Sequence, residues 1–359
     1  MLNYDAEYAI NMKNNLRSIV FVIIVWIAIS SYAYNYDLEL NGIYYTINAF
    51  DRTATVVAYP NASGDVIIPD TIVYNSQNLK VIEIGASVFE GNENITSIFS
   101  RDAKIIGTKT FKRCSNLRSV NIPCYFDSKI PDEIFYNCTN LECIDSILGN
   151  YNDIGNSAFY GCSNLNELII PKSVTHTSSN AFGGRFHAKK VIIEDGESKL
   201  SIFAANVSVN TLLTADTICW YRKKTDFIEY RNSGNIYVGV LIIGNKVEDL
   251  PVCFSVSSKV YSLLFTPTPI AIQFTTSTYI DIPLFVPTGS LEQYQNKSGW
   301  WSGFFDIKEE DYVSRINSIQ TDMNDEIRYN IRGEKLNGVY KGLNIIRYSN
   351  GESRKVIVK

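Results

Sequence analysis

The sequence predicts a β-rich solenoid: stacked coils with short parallel strands, capped at both ends and followed by a small antiparallel β unit. Three observations predict it. Phenylalanines stand at 89, 111, 135, 159 and 182, so successive gaps are 22, 24, 24 and 23 residues. A longer phrase keeps step with them: Phe111-Lys112-Arg113-Cys114-Ser115-Asn116-Leu117, Phe135-Tyr136-Asn137-Cys138-Thr139-Asn140-Leu141 and Phe159-Tyr160-Gly161-Cys162-Ser163-Asn164-Leu165, with a worn copy at Phe89–Ile95. The 359 residues are 45 % hydrophobic and 19 % charged, a folded composition rather than a disordered one.

The elements follow in chain order. Lys13 and Arg17 precede an unbroken apolar run, Ile19–Ile29, and Ser31 and Ala33 stand three residues and one residue before a cleavage point. Residues 1–33 read as a secretory signal peptide. The run is short of the about 20 residues that span a bilayer, although a retained anchor competes as a reading. Cleavage would leave Tyr34–Lys359 with no integral membrane span, secreted or on the outer cell surface; Met12 is an alternative start. Residues 34–78 are an opening cap. Gly42–Ile47 and Thr53–Tyr59 are strand-like around the turn-rich Asn48–Arg52, and their task is to cover the edge of the first coil.

Residues 79–200 hold the regular coils. A period of about 23 residues belongs to solenoids of the leucine-rich type. Leu117–Ile122 and Leu165–Ile170 are expected as parallel strands about 4.8 Å from their neighbours. Ala158 and Ala181 leave room for the rings of Phe159 and Phe182 on the opposite wall. Cys114, Cys138 and Cys162 repeat at one point and are expected as a buried ladder of small apolar side chains, with disulfides between coils as the competitor. The Asn at 94, 116, 140 and 164 are expected to satisfy backbone groups at the turns.

The phrase Ile154-Gly155-Asn156-Ser157-Ala158-Phe159-Tyr160-Gly161-Cys162-Ser163-Asn164-Leu165, with Ile-Pro pairs at 68, 122 and 170, resembles the leucine-rich repeats of Bacteroides-type surface proteins. The resemblance implies a leucine-rich repeat fold on an exported chain of Bacteroidota type, with a role in adhesion or host contact. It says little about the ligand.

Residues 201–307 are expected to continue the stack as irregular coils, with strands at Val238–Ile243 and Lys259–Phe265; a separate sandwich domain is the alternative. Leu241–Leu250 resembles a lead-in of the same family. The stretch Ile282–Ile307 resembles its final coil: a strand, the turn Val286-Pro287-Thr288-Gly289, a short helix and tryptophan. Tyr294, Trp300 and Phe304 are expected to lid the last apolar layer, and their aromatic rings also suit sugar stacking. Residues 308–326 read as a polar linker in which Glu309, Glu310 and Asp311 are solvated. Ile327–Lys359 carries eight basic and two acidic residues, a local +6 in a chain of net −4. Its short strands and Gly turns predict a small basic β tail. It resembles the C-terminal sorting tails of type IX secretion, which implies contact with secretion machinery, although Arg332-Gly333 reverses the usual order.

Function is read mostly by exclusion. The acidic balance argues against nucleic acid, which needs a basic footprint. No GxGxxG opening a helix, P-loop, HExxH or GxSxG is present. His176 and His187 are the only histidines and neither has a recognisable partner in sequence. No catalytic, cofactor or metal residue is assigned. The leading expectation is a surface scaffold for a protein or glycan, with Arg118, Asn121, Asn166, Glu167, Tyr294 and Trp300 as candidate contacts. A structural envelope spacer and a carbohydrate-active component are the alternatives. A spacer predicts an evenly polar surface; a binder predicts a concentration of exposed aromatics or a groove within 210–300.

Overall fold

A computed structural model of the chain describes residues 35–122, 128–144, 151–178, 180–202, 211–227, 235–250, 254–267, 274–296 and 300–310, and the backbone of four strands between 327 and 358. The signal-peptide reading at 1–33 lies outside the described residues, as do Cys124, Cys253 and the linker beyond 310.

The chain winds into a β-solenoid of leucine-rich coils with parallel strands. It opens with an antiparallel meander, β1 (Leu38–Leu40), β2 (Ile43–Asn48) and β3 (Thr53–Ala58). After β4 (Gly64–Ile67), β5 (Thr71–Tyr74) and β6 (Gln77–Ile84) form a second hairpin. Its turn residues Asn75 and Ser76 take positive φ, as tight two-residue hairpins require. β6 pairs antiparallel with β5 on one edge and parallel with β3 on the other, which converts the cap into a parallel stack.

Two rows of parallel strands then climb the solenoid. The main row runs β4, β7 (Ile95–Phe99), β9 (Ser119–Asn121) and β11 (Cys143–Ile144). It continues through β13 (Leu165–Ile170), β15 (Ala188–Ile193), β17 (Thr211–Trp220), β19 (Asn235–Ile243), β20 (Phe254–Ser262), β21 (Leu284–Pro287) and β22 (Ile307–Glu310). Between β11 and β13 the ladder narrows to the Asn166 N–H donating to the Glu142 carbonyl at 2.9 Å. The second row follows β6 with β8 (Ile105–Ile106), β10 (Lys129–Ile130), β12 (Asp153–Ile154), β14 (His176–Thr177), β16 (Leu200–Ile202) and β18 (Thr225–Phe227). The irregular region therefore continues the stack and forms no separate sandwich. Its strands start earlier than the apolar runs suggest, because Phe254 and Ile236 already point into the core.

The third wall is a ladder of turns built on the repeated phenylalanines. Phe89, Phe111, Phe135, Phe159 and Phe182 stack ring on ring at 5.7, 5.6, 5.7 and 5.9 Å between centroids. The thiols of Cys114, Cys138 and Cys162 donate to the carbonyls of Phe89, Phe111 and Phe135 at 2.9, 2.9 and 3.1 Å. Each thiol thus reaches back one coil, which is a reason for Cys here beyond its size. All three are free and buried. Burial pushes the Cys114 thiol up to about 12, and the other two also rise for the same cause. Two residues before each of the five phenylalanines, Ser87, Lys109, Glu133, Ser157 and Asn180 are left-handed; two residues after, so are Gly91, Arg113, Asn137, Gly161 and Gly184. A left-handed non-glycine costs about 1–2 kcal/mol. Turn-to-turn bonds hold them there, such as Phe111 N–H to the Ile134 carbonyl and Phe135 N–H to the Ala158 carbonyl.

Two expectations need correction. Asn116, Asn140 and Asn164 are exposed, so they form an outer row instead of serving buried turn groups. Asn116 still satisfies a turn carbonyl, that of Glu93 at 2.7 Å, and in the first coil Asn92 Oδ1 accepts the Asn94 and Ile95 N–H groups. The linker also starts later than 308. Lys308–Glu310 pair with β21 as the last strand, and Glu309 Oε1 accepts the N–H groups of Gly289 and Leu291 at 2.8 and 2.9 Å. This carboxylate ties down the preceding turn, as acceptors near a helix start do.

The final coil contains α1 (Thr276–Asp281), α2 (Leu291–Gln295) and a 3-10 turn at Trp300–Gly303. The C-terminal strands β23 (Ile327–Tyr329), β24 (Lys335–Leu336), β25 (Gly342–Arg347) and β26 (Ser353–Val358) form an antiparallel sheet in the order β24-β23-β25-β26.

Candidate binding surface

Strand alternation turns two positions of each main-row strand outward. One outward row runs Phe99, Asn121 and, beyond β11, Ile169, Ile192, Cys219, Ile242, Tyr261 and Phe285 in register. Of the candidate contacts, Asn121 lies in this row and Glu167 in the neighbouring one, opposite Lys190 at 3.8 Å. Arg118 is exposed at the entrance to β9, where its carbonyl accepts the Glu142 and Cys143 N–H groups. Asn166 is engaged between coils: it donates to Cys143 Sγ at 3.6 Å and accepts from Lys189 Nζ at 2.8 Å. The structure therefore brings Asn166 and Glu167 together with lysines of the next coil. It leaves Arg118 and Asn121 about 10 Å away, two strands along the row.

The outward row does not form an open apolar face. Ile192, Cys219, Ile242 and Tyr261 are buried against one another and against Ile169, Tyr221, Val240, Leu263 and Phe285. Tyr221 lies across Gly244, where an added Cβ would meet its ring at 2.6 Å. Tyr261 and Phe285 stack at 5.0 Å, with Lys259 Nζ 5.8 Å above the Phe285 ring. This second core stiffens the far half of the sheet.

Arg222 was not singled out by its sequence context, yet it is fully buried. Its guanidinium donates to the carbonyls of Glu194, Val174, Ser198 and Pro171 at 3.0, 2.6, 3.4 and 2.8 Å. Burial lowers its pKa. The side chain pins a corner of preceding coils; of the four carbonyls, that of Pro171 also accepts the Val174 N–H at 3.0 Å. His187 Nε2 stands 3.4 Å from Asp216 on the exposed surface, a pairing the sequence did not show. Among the described residues, no group of three or more His, Cys, Asp and Glu is placed to hold a metal ion. No helix among them is long and apolar enough to cross a membrane.

The closing coil revises one candidate contact. Tyr294 is fully buried, so it belongs to the lid and not to a surface. Its hydroxyl donates to the Leu264 carbonyl at 2.7 Å and pairs with Ser262 Oγ at 2.6 Å, and its ring meets Trp301 edge-on at 5.3 Å. Trp301 and Phe304 complete the lid, whereas the side chain of Trp300 lies outside the description. Exposed apolar side chains appear elsewhere. Phe305 is 87 % exposed, Ile280 59 %, Phe265 56 % and Tyr237 38 %. The Phe305 N–H donates to the Tyr279 carbonyl at 2.9 Å, which sets Phe305 beside Ile280. The doublet Phe304-Phe305 carried the signal: one ring of such a pair in a turn faces the core and the other faces out.

Residues 82–208 match the family model described as "BspA type Leucine rich repeat region", in six copies. No curated protein matches the chain. Among solved structures, the Treponema pallidum leucine-rich repeat protein is 20 % identical over 44 % of this chain and 71 % of its own, with a TM-score of 0.38. A leucine-rich cell surface protein from Faecalibacterium prausnitzii is 17 % identical over 79 % and 97 %, with a TM-score of 0.38. A leucine-rich repeat protein from Bacteroides ovatus is 18 % identical over 77 % and 79 %, with a TM-score of 0.36. These likenesses are distant, and no ligand is carried over from them. The match falls on the regular coils, whose fold is that of leucine-rich repeats.

Proposed function

We propose that the chain is an exported cell-surface scaffold that binds a protein or glycan through its closing coils. One observation carries the reading. Among the described residues, no large apolar side chain is exposed between 106 and 236; the exposed ones fall on the opening side, at Tyr36, Leu40, Phe50, Ile67, Val73 and Ile105, and on the closing side, at Tyr237, Phe265, Ile280 and Phe305. Exposed apolar residues gathered towards the ends of a polar middle mark contact surfaces, whereas an envelope spacer predicts an evenly polar surface throughout. Aliphatic Ile280 beside Phe305 favours a protein partner over a sugar, which prefers flat aromatic platforms. The repeat match and the secretory leader support placement outside the cell, and the C-terminal segment is read as the contact with secretion machinery.

The test is a screen of glycan and host-matrix protein arrays with the purified chain and with the variant Tyr237→Ser/Phe265→Ser. Binding that the variant loses supports the reading. A chain that binds nothing on either array, with unchanged fractionation to the cell surface, favours the spacer.

A further inference from the structure

We propose that the exposed pair Ile280 and Phe305 is the docking site of this chain's own C-terminal β unit, residues 327–359. Each apolar residue is followed by an acid, giving Ile280-Asp281 and Phe305-Asp306. The bond from Phe305 N–H to the Tyr279 carbonyl sets the two dipeptides side by side. The surrounding coil is acidic: within 276–310, Asp281, Glu292, Asp306, Glu309 and Glu310 stand against Lys297 and Lys308, a net −3. The preceding stretch 188–265 is nearly neutral, with nine basic and eight acidic residues.

The C-terminal unit has the complementary chemistry. It carries the net +6 noted above, and its last strand β26 lies at an edge of its sheet. In sequence that strand reads Lys355-Val356-Ile357-Val358-Lys359, an apolar run bracketed by cations, where Ile280 and Phe305 are each followed by an anion, Asp306 being already paired with Lys308. An edge strand with such a run needs cover. Reach is no obstacle. The tether, residues 311–326, leaves the solenoid five residues after Phe305 and has 16 residues. Sixteen residues reach about 55 Å at most, and joining the two partners in one chain raises their effective concentration. Weak charge and apolar complementarity is enough under those conditions. The docking stands without the ligand reading; if both hold, tail and ligand compete for Ile280 and Phe305.

The test is zero-length carbodiimide cross-linking of the purified full chain, with sites read by peptide mass. The expected result is links from Lys355 or Lys359 to Asp281 or Asp306 in the monomer band, with a yield unchanged by dilution. The yield should fall about tenfold in about 1 M salt, where screening reaches about 3 Å. The variant Ile280→Ser/Phe305→Ser leaves both acids in place, so loss of the link there assigns the apolar contact. An unchanged melting temperature in that variant shows that the solenoid is intact. Links found only in a dimer band that fades on dilution would assign the site to a second copy and overturn the proposal. So would the absence of links at low salt.

Discussion

The regular coils between Gly85 and Ile193 and the closing coils between Thr211 and Glu310 belong to one solenoid but solve different problems. In the regular coils every position repeats, so one side chain per coil builds each ladder: Phe on Phe, Cys to the Phe carbonyl, left-handed residues at both shoulders of the turn. In the closing coils the strands lengthen, the turns vary and stability comes from single residues. Arg222 ties carbonyls of several coils, Tyr294 plugs the lid and Glu309 fastens a turn. A repeat distributes its stabilisation over many equivalent contacts, whereas an end must place it on a few. The same contrast governs the surface. The periodic coils expose one large apolar side chain among the described residues, Ile105, whereas the irregular end exposes Tyr237, Phe265, Ile280 and Phe305.

Substitutions sharpen this contrast, beginning with the largest effect. Phe135→Ala removes the middle ring of the ladder and should cost about 3–5 kcal/mol in denaturant unfolding, because neighbours on both sides lose contact. Arg222→Met should cost about 3 kcal/mol, since it takes the donor from the buried Val174 carbonyl without opening a large cavity. A loss below about 1 kcal/mol there would show that the closing coils do not rest on single residues. Arg113→Gly should gain about 1 kcal/mol, as glycine takes the left-handed turn without strain, and Gly91 and Gly161 already occupy that place in other coils. Phe305→Ser should leave unfolding within about 0.5 kcal/mol of the parent, as an exposed side chain away from the core does.

The buried thiols add a pH signature. Their folded pKa lies above the unfolded value, with Cys114 raised from 9.0 to about 12. Below pH 9 both states hold the proton and stability is unaffected by these groups. Between about pH 9 and 12 the unfolded chain releases protons that the folded chain keeps, so stability must fall with rising pH. A Cys114→Ala/Cys138→Ala/Cys162→Ala variant should show a shallower slope in urea midpoints across this range, with the remainder set by Cys219 and buried tyrosines such as Tyr45, which burial also raises.

The fold was legible because periodicity averages out local ambiguity. Five phenylalanines and three cysteines in one register outweigh any single propensity, and the parallel stack follows from the need to bury one face of every coil. The surface was less legible. Asn116 and Asn140 share a motif with core residues yet face out, because a turn reverses direction within two residues. Tyr294 read as a surface aromatic, but its hydroxyl has two buried partners from β20 and the residues after it, more than 25 positions away in the chain. Arg222 gave no local sign, since its partners are backbone carbonyls that any sequence supplies. Lys308–Glu310 read as linker because strand pairing at an open edge tolerates charge.

Thiol labelling of the native chain bears most directly on the stacked interior. With alkylating reagent at about pH 8 and peptide-resolved mass readout, Cys114, Cys138 and Cys162 should label together and only at the rate of global unfolding. One of the three reacting quickly in the native chain, or any two recovered as a disulfide, would contradict the shared buried ladder.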